Sequence, residues 1–162
     1  MAAVMSLDFV QQAQPWSVTV VGLLDEPAHL ATAWVALAAL APRHTPDAIW
    51  WAAIFACVAI DIDHVPLYLT DGAFAVAGGR PPTHSLVVVA LLVVLSAVPQ
   101  MRWLIGAAVG VLLHLLRDVA TGPGVPLLWP YSDISTRCPY WTYLVALAFL
   151  AKVRCSRTVK AT

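Results

Sequence analysis

Imidazoles and carboxylates recur along this sequence at the spacing of one helical turn. His114 and Asp118 are four apart, and a helix sets such residues on one face. Side chains of these two types suit a borderline ion such as zinc. Asp25 and His29 repeat the interval in reverse order. Asp61 and His64 stand three apart in Asp61-Ile-Asp-His64, a spacing that predicts Asp63 turned away from them. His84 follows Pro81-Pro82-Thr83, where Thr83 is the expected helix cap. Ionisable groups in apolar helices are costly, so their presence points to function.

Plainer readings stand beside these. His29 alone also fits a hydrogen-bonded packing role. Asp25 fits a helix start, where the dipole favours a carboxylate. Asp63 fits an orienting carboxylate behind His64, and His44 reads as a solvated turn residue. Taken together, His64, His84, His114 and Asp118 favour metal over packing, with Asp61 and His29 completing or bridging. A zinc site needs three or four donors at about 2.0–2.2 Å, so the set serves one or two ions. Two ions would hold both oxygens of a displaced phosphoester. Zinc is the first expectation and manganese the second. Asp63 or Asp25 would act as general base. Arg80 and Arg117 would steady an anionic group, or else pair with Asp133, Asp71 or lipid headgroups.

The chain that must position these groups is 60% hydrophobic and only 11% charged, with a mean hydropathy of +0.79. Soluble domains carry roughly 25% charged residues. Too little polar surface remains for a water-soluble globule, which implies an integral membrane protein. Zero formal net charge argues against a nucleic-acid partner. Cys57, Cys138 and Cys155 show no metal-type spacing and read as incidental, and their odd number argues against a disulfide framework.

Five apolar segments follow an N-terminal stretch, residues 1–14, that reads as a short tail or interfacial segment. They run over about residues 27–41, 48–69, 83–98, 103–120 and 140–153. Residues 27–41 are short for a span, which usually needs ~20 residues. Extension back through Val18–Leu24 would meet Asp25, Glu26 and Pro27 as an interruption. The predicted architecture is all-α: a polytopic membrane bundle of about five helices forming one domain over residues 1–162. Its motif-bearing core covers 25–137 and its basic tail 152–162. Excess Lys and Arg marks cytoplasmic loops. Placing the tail inside puts Arg43, Arg102, Lys152, Arg154, Arg157 and Lys160 there, six of the nine basic residues. The N-terminus is then outside, as are all acidic residues but Asp47. With that topology His29, His64, His84 and His114 fall at the same non-cytoplasmic face, four of the five histidines.

The ordered set Ala28-His29, Asp61-Ile-Asp-His64, Arg80-Pro-Pro-Thr-His84-Ser-Leu86 and His114-x-x-x-Asp118-x-x-Thr-x-x-Gly-Val-Pro-Leu-Leu-Trp-Pro130 resembles the YdjM-type family. These are inner-membrane, metal-dependent hydrolases, sometimes described as LexA-regulated. The resemblance covers about residues 28–130. It implies a distant likeness to zinc-dependent phospholipase C and single-strand nucleases, and hence phosphoester hydrolysis, with a lipid among the expected substrates. Two departures stand out: Gly79 occupies the place of a family histidine, and Ala28 replaces a glycine. The expected function is a membrane hydrolase acting through a metal-activated water. The alternative is a non-catalytic subunit using the cluster as a structural metal or proton site in a larger complex. A metal or proton carrier ranks last, because helices two to four are apolar in their cytoplasmic halves.

Overall fold

A computed structural model describes residues 2–70, 72–73, 75–76 and 79–159. Among these the chain is all-helical, with one isolated antiparallel bridge, Val125 to Thr136. The helices are α1 (Ala2–Gln12), α2 (Val18–Leu40), α3 (Asp47–Ala59), α4 (His64–Leu69), α5 (Leu86–Leu95), α6 (Leu104–Thr121) and α7 (Tyr140–Val159). Two helical runs are long and apolar enough to cross a membrane, Asp47–Leu67 and Leu104–Thr121. At 1.5 Å per residue, the 10 residues of α5 reach only about 15 Å, half a bilayer core.

Three local expectations need correction. The N-terminal stretch is a helix, α1, packed along α2, with Val4 and Asp8 buried. Asp25, Glu26 and Pro27 do not interrupt the first apolar segment: α2 runs through them for 23 residues. Proline removes one backbone donor from a helix, and Asp25, two residues before it, finds His29 and Arg117 inside the bundle. Thr83 lies before the helix rather than capping it. The cap of α5 is Ser85, while the Thr83 hydroxyl donates to the Asp63 carboxylate.

The centre of the bundle is the α3–α6 pair. Gly106 and Gly110 lie against the backbone carbonyls of Ile49 and Ala53, where any Cβ would collide. Small residues four apart are how membrane helices achieve such backbone approach. The contact aligns Cys57 on α3 with His114 on α6. Ala33, Leu37, Ile54 and Cys57 form one core layer. Val111, Leu115, Val119 and Val125 form another. On the far side α7 packs on α2, where the Tyr143 hydroxyl lies 2.6 Å from Thr32 Oγ1.

Candidate metal centre

Between α3 and α4 the helix tightens into a 3-10 turn, Ile60–Asp63. Residues three apart eclipse in a 3-10 helix, so Asp61 stacks against His64, Oδ1 to Nδ1 at 3.2 Å. The same tightening overturns the expectation that Asp63 turns away. Its Oδ1 reaches His64 Nδ1 at 3.0 Å and its Oδ2 reaches His84 Nδ1 at 3.3 Å. His84 enters from the segment before α5 and is fully buried.

His114 and Asp118 project from α6, both buried. His114 Nδ1 donates to the Cys57 carbonyl at 2.7 Å. A carbonyl only accepts, so the proton sits on Nδ1 and Nε2 is left to face Asp61 Oδ1 at 3.3 Å and Asp118 Oδ2 at 3.2 Å. Nε2 has no hydrogen-bond partner there. His84 Nε2 approaches the same two oxygens, at 3.1 and 3.7 Å. Donors at ~2.0–2.1 Å from one tetrahedral ion lie roughly 3.3–3.4 Å apart. The four imidazole-to-carboxylate spacings, 3.1–3.7 Å, lie close to that value, and His84, His114 and Asp118 sit together as a group able to hold an ion. His114 Nε2 is buried with no hydrogen-bond partner, which is otherwise expensive. The residues present therefore fit a divalent cation.

A second donor set adjoins the first. His29 Nε2 lies 3.5 Å from Asp25 Oδ2 and 3.5 Å from Asp118 Oδ1. Asp118 thus offers one oxygen to each set. The His29 and His114 rings stack with centroids 3.8 Å apart and planes 9° from parallel, while His84 lies edge-on to both His114 and His64. The structure brings His29, His64, His84 and His114 together with Asp25, Asp61, Asp63 and Asp118. His44 lines a cavity among residues of the opposite turn.

The two arginines occupy different places. Arg80 Nη1 contacts Asp118 Oδ2 at 3.0 Å, and its Nε is buried without a partner. Gly122 makes room for it, since a Cβ there would strike the guanidinium. Arg80 lines a polar cavity of about 410 Å³ with Asp25, Glu26, Asp61, His64 and Gly79. Gly79 has a left-handed φ of 72° and open space where a side chain would stand. Arg117 faces away from this cavity. It is fully buried, donating to Asp8 at 2.6 Å and Asp25 at 2.7 Å. Among the described residues its carboxylate partners are these two and not Asp133. Asp71 itself lies outside the described residues.

Three residues at the site escaped the sequence reading. Cys57, taken as incidental, fixes the His114 tautomer, and its Sγ belongs to a close group with His29 and His114. Its signal was a place four residues before Asp61. Asp8 stands four after Val4 in an apolar segment, and Glu26 directly follows Asp25.

The YdjM inner membrane protein family matches residues 24–161. The chain belongs to that family. It is 36% identical over 99 residues to the inner membrane protein YdjM of Escherichia coli (strain K12), covering 50% of this chain and 50% of the relative. The Shigella flexneri protein of the same name gives the same identity and coverage. The chain spans about half the length of the curated relatives it matches. No solved structure matches it. As a member of the YdjM family with two apolar helices of spanning length, the chain is an inner-membrane protein, and its His, Asp and Cys groups are placed to hold a metal ion.

Proposed function

We propose that this YdjM-family chain is a membrane-bound, metal-dependent hydrolase acting on a phosphoester, lipid-type substrates included. The observation that carries the reading is the four-donor set. His84 and His114 each direct Nε2 at the same two carboxylate oxygens, of Asp61 and Asp118, with ligand-like spacing. These four residues hold the first ion, zinc before manganese. Asp25 and His29, with the other oxygen of Asp118, offer a second position. When bound, a divalent ion supplies Lewis acidity, stabilising charge on a phosphoryl oxygen and acidifying a water.

The chain's own residues do the rest. Cys57, through its carbonyl, holds His114 in the tautomer that leaves Nε2 for the ion, the usual role of a partner behind a metal-binding imidazole. Asp63 orients His64 and His84 through their Nδ1 atoms. His64, on the cavity wall, is held between Asp61 and Asp63 beside the substrate. Arg80 points a guanidinium into the same cavity and steadies an anionic group. Arg117 serves as a positioning residue that holds Asp25 in place. The centre sits at the non-cytoplasmic end of a multi-pass bundle, with the N-terminus outside and the basic tail in the cytoplasm.

One observation favours a second reading, a non-catalytic subunit with a structural ion. Four protein donors already complete a tetrahedral shell, and Gly79 supplies no imidazole. Turnover separates the two. Purified protein is assayed for bound metal by mass spectrometry and for hydrolysis of bis(p-nitrophenyl) phosphate. Near-stoichiometric metal with turnover lost in Asp118→Ala supports the hydrolase. Metal without turnover of any phosphoester leaves the structural reading, and a metal-free wild type purified without chelators sinks both.

A further inference from the structure

A second cavity, about 550 Å³, opens on the outside of the bundle between α2 and α3. It is lined by Leu30, Phe55, Val58, Ile62 and Val65. Phe55 is 74% exposed and Ile62 67%, so the groove is open sideways along its length. From Phe55 to Val65 it follows about 15 Å of helix, roughly the depth of one leaflet of a ~30 Å hydrocarbon core. Glu26 and Asp61 also line it, the two residues it shares with the polar cavity over the His/Asp centre. An apolar trough therefore runs from the lipid-facing surface to the same two carboxylates that border the metal-binding donors.

We infer that this groove seats an acyl chain of a phosphate-bearing lipid that enters sideways from the bilayer, with its headgroup delivered past Glu26 and Asp61 to the His/Asp centre. The inference rests on the hydrolase reading for what happens to the headgroup, and on the groove alone for where the chain lies. Complementarity fixes the occupant. Only an amphiphile presents an apolar tail to Phe55 and Ile62 while placing an anionic group near Arg80. A soluble phosphodiester gains nothing from the groove, whereas a lipid gains the burial of its methylenes, ~0.8 kcal/mol for each in full burial.

The test uses the full chain in phosphatidylcholine nanodiscs with a dioleoyl phosphatidylglycerol analogue carrying a diazirine midway along one acyl chain. After illumination, adducts are mapped by peptide mass spectrometry, with and without excess unlabelled dioleoyl phosphatidylglycerol. Adducts should concentrate at Leu30, Phe55, Ile62 and Val65 and fall with competitor, whereas those at exposed Leu91 and Val94 on α5 should be sparse and uncompeted. Filling the groove with Val58→Trp should cut the competed adducts about tenfold. Leu91→Trp should leave them as in wild type. Adducts spread evenly over the exposed faces and indifferent to competitor would overturn the groove. Turnover of the soluble diester is scored separately, so the hydrolase reading can fail while the adduct map still decides where the chain lies.

Discussion

His114 gives its Nδ1 proton to the Cys57 carbonyl, and that bond decides which nitrogen is left for an ion. Removing His114 or Asp118 should therefore abolish metal binding. His114→Ala and Asp118→Ala, purified beside wild type, should each lose zinc or manganese from near-stoichiometric to background by mass spectrometry. They should also lose the thermal stabilisation that saturating metal confers, about 2.7 kcal/mol at a hundredfold excess over Kd. Arg117 makes a different prediction. Truncating it to Met strands two carboxylates, Asp8 and Asp25, in the interior, and leaving buried charge unpaired costs ~3–5 kcal/mol. Adding Asp8→Asn to Arg117→Met should recover part of that loss in thermal unfolding, because one stranded charge is then gone. At this scale much was legible in the sequence. The four-residue spacings of Asp25 with His29 and of His114 with Asp118 put each pair on one helix face, where the side chains meet. The partners of Arg117 were not legible, since Asp8 lies 109 residues away and no local spacing records that meeting.

The helices carry consequences of their own. Because Gly106 and Gly110 let α6 touch the backbone of α3, the ligands on the two helices meet only at that separation. Gly110→Ala should force the pair apart, cost ~1–3 kcal/mol by overpacking and lower metal content. Gly22→Ala on α2 has open space around its Cβ and should stabilise by up to ~1 kcal/mol through helix propensity alone. Unfolding in detergent and metal analysis on both variants check the contrast. The apolar segments foretold these helices because hydrophobic runs of that length have few alternatives in a bilayer. They did not foretell the 3-10 turn at Ile60–Asp63. Its tightening comes from what Asp61 and Asp63 must reach on other elements, not from the residues within it. α5 shows the same limit: the apolar run from residue 83 to 98 reads as a span, yet residues 83–85 are drawn out of the helix to deliver His84.

Across the whole molecule, the basic residues set the expected orientation. A green fluorescent protein fused after Thr162 should fluoresce, and alkaline phosphatase at the same point should be inactive, since both outcomes require a cytoplasmic C-terminus. The reverse pair would put the His/Asp centre on the cytoplasmic side. The charge count yields this expectation, but says nothing of how the ends of the chain are tied. Asp8 accepts from Arg117 and also from the Tyr140 hydroxyl at 2.6 Å. One carboxylate thus fastens the first helix to the last and both to the helix bearing His114. Asp8 also precedes residue 24, where the stretch shared with the YdjM family begins. The helices bearing the His/Asp donors are thus clasped from outside by a segment that precedes the matched stretch. Residues 2–12 work as a buckle. Loosening them would be felt first not at the N-terminus but at Asp25, the carboxylate that Arg117 holds with its other hand.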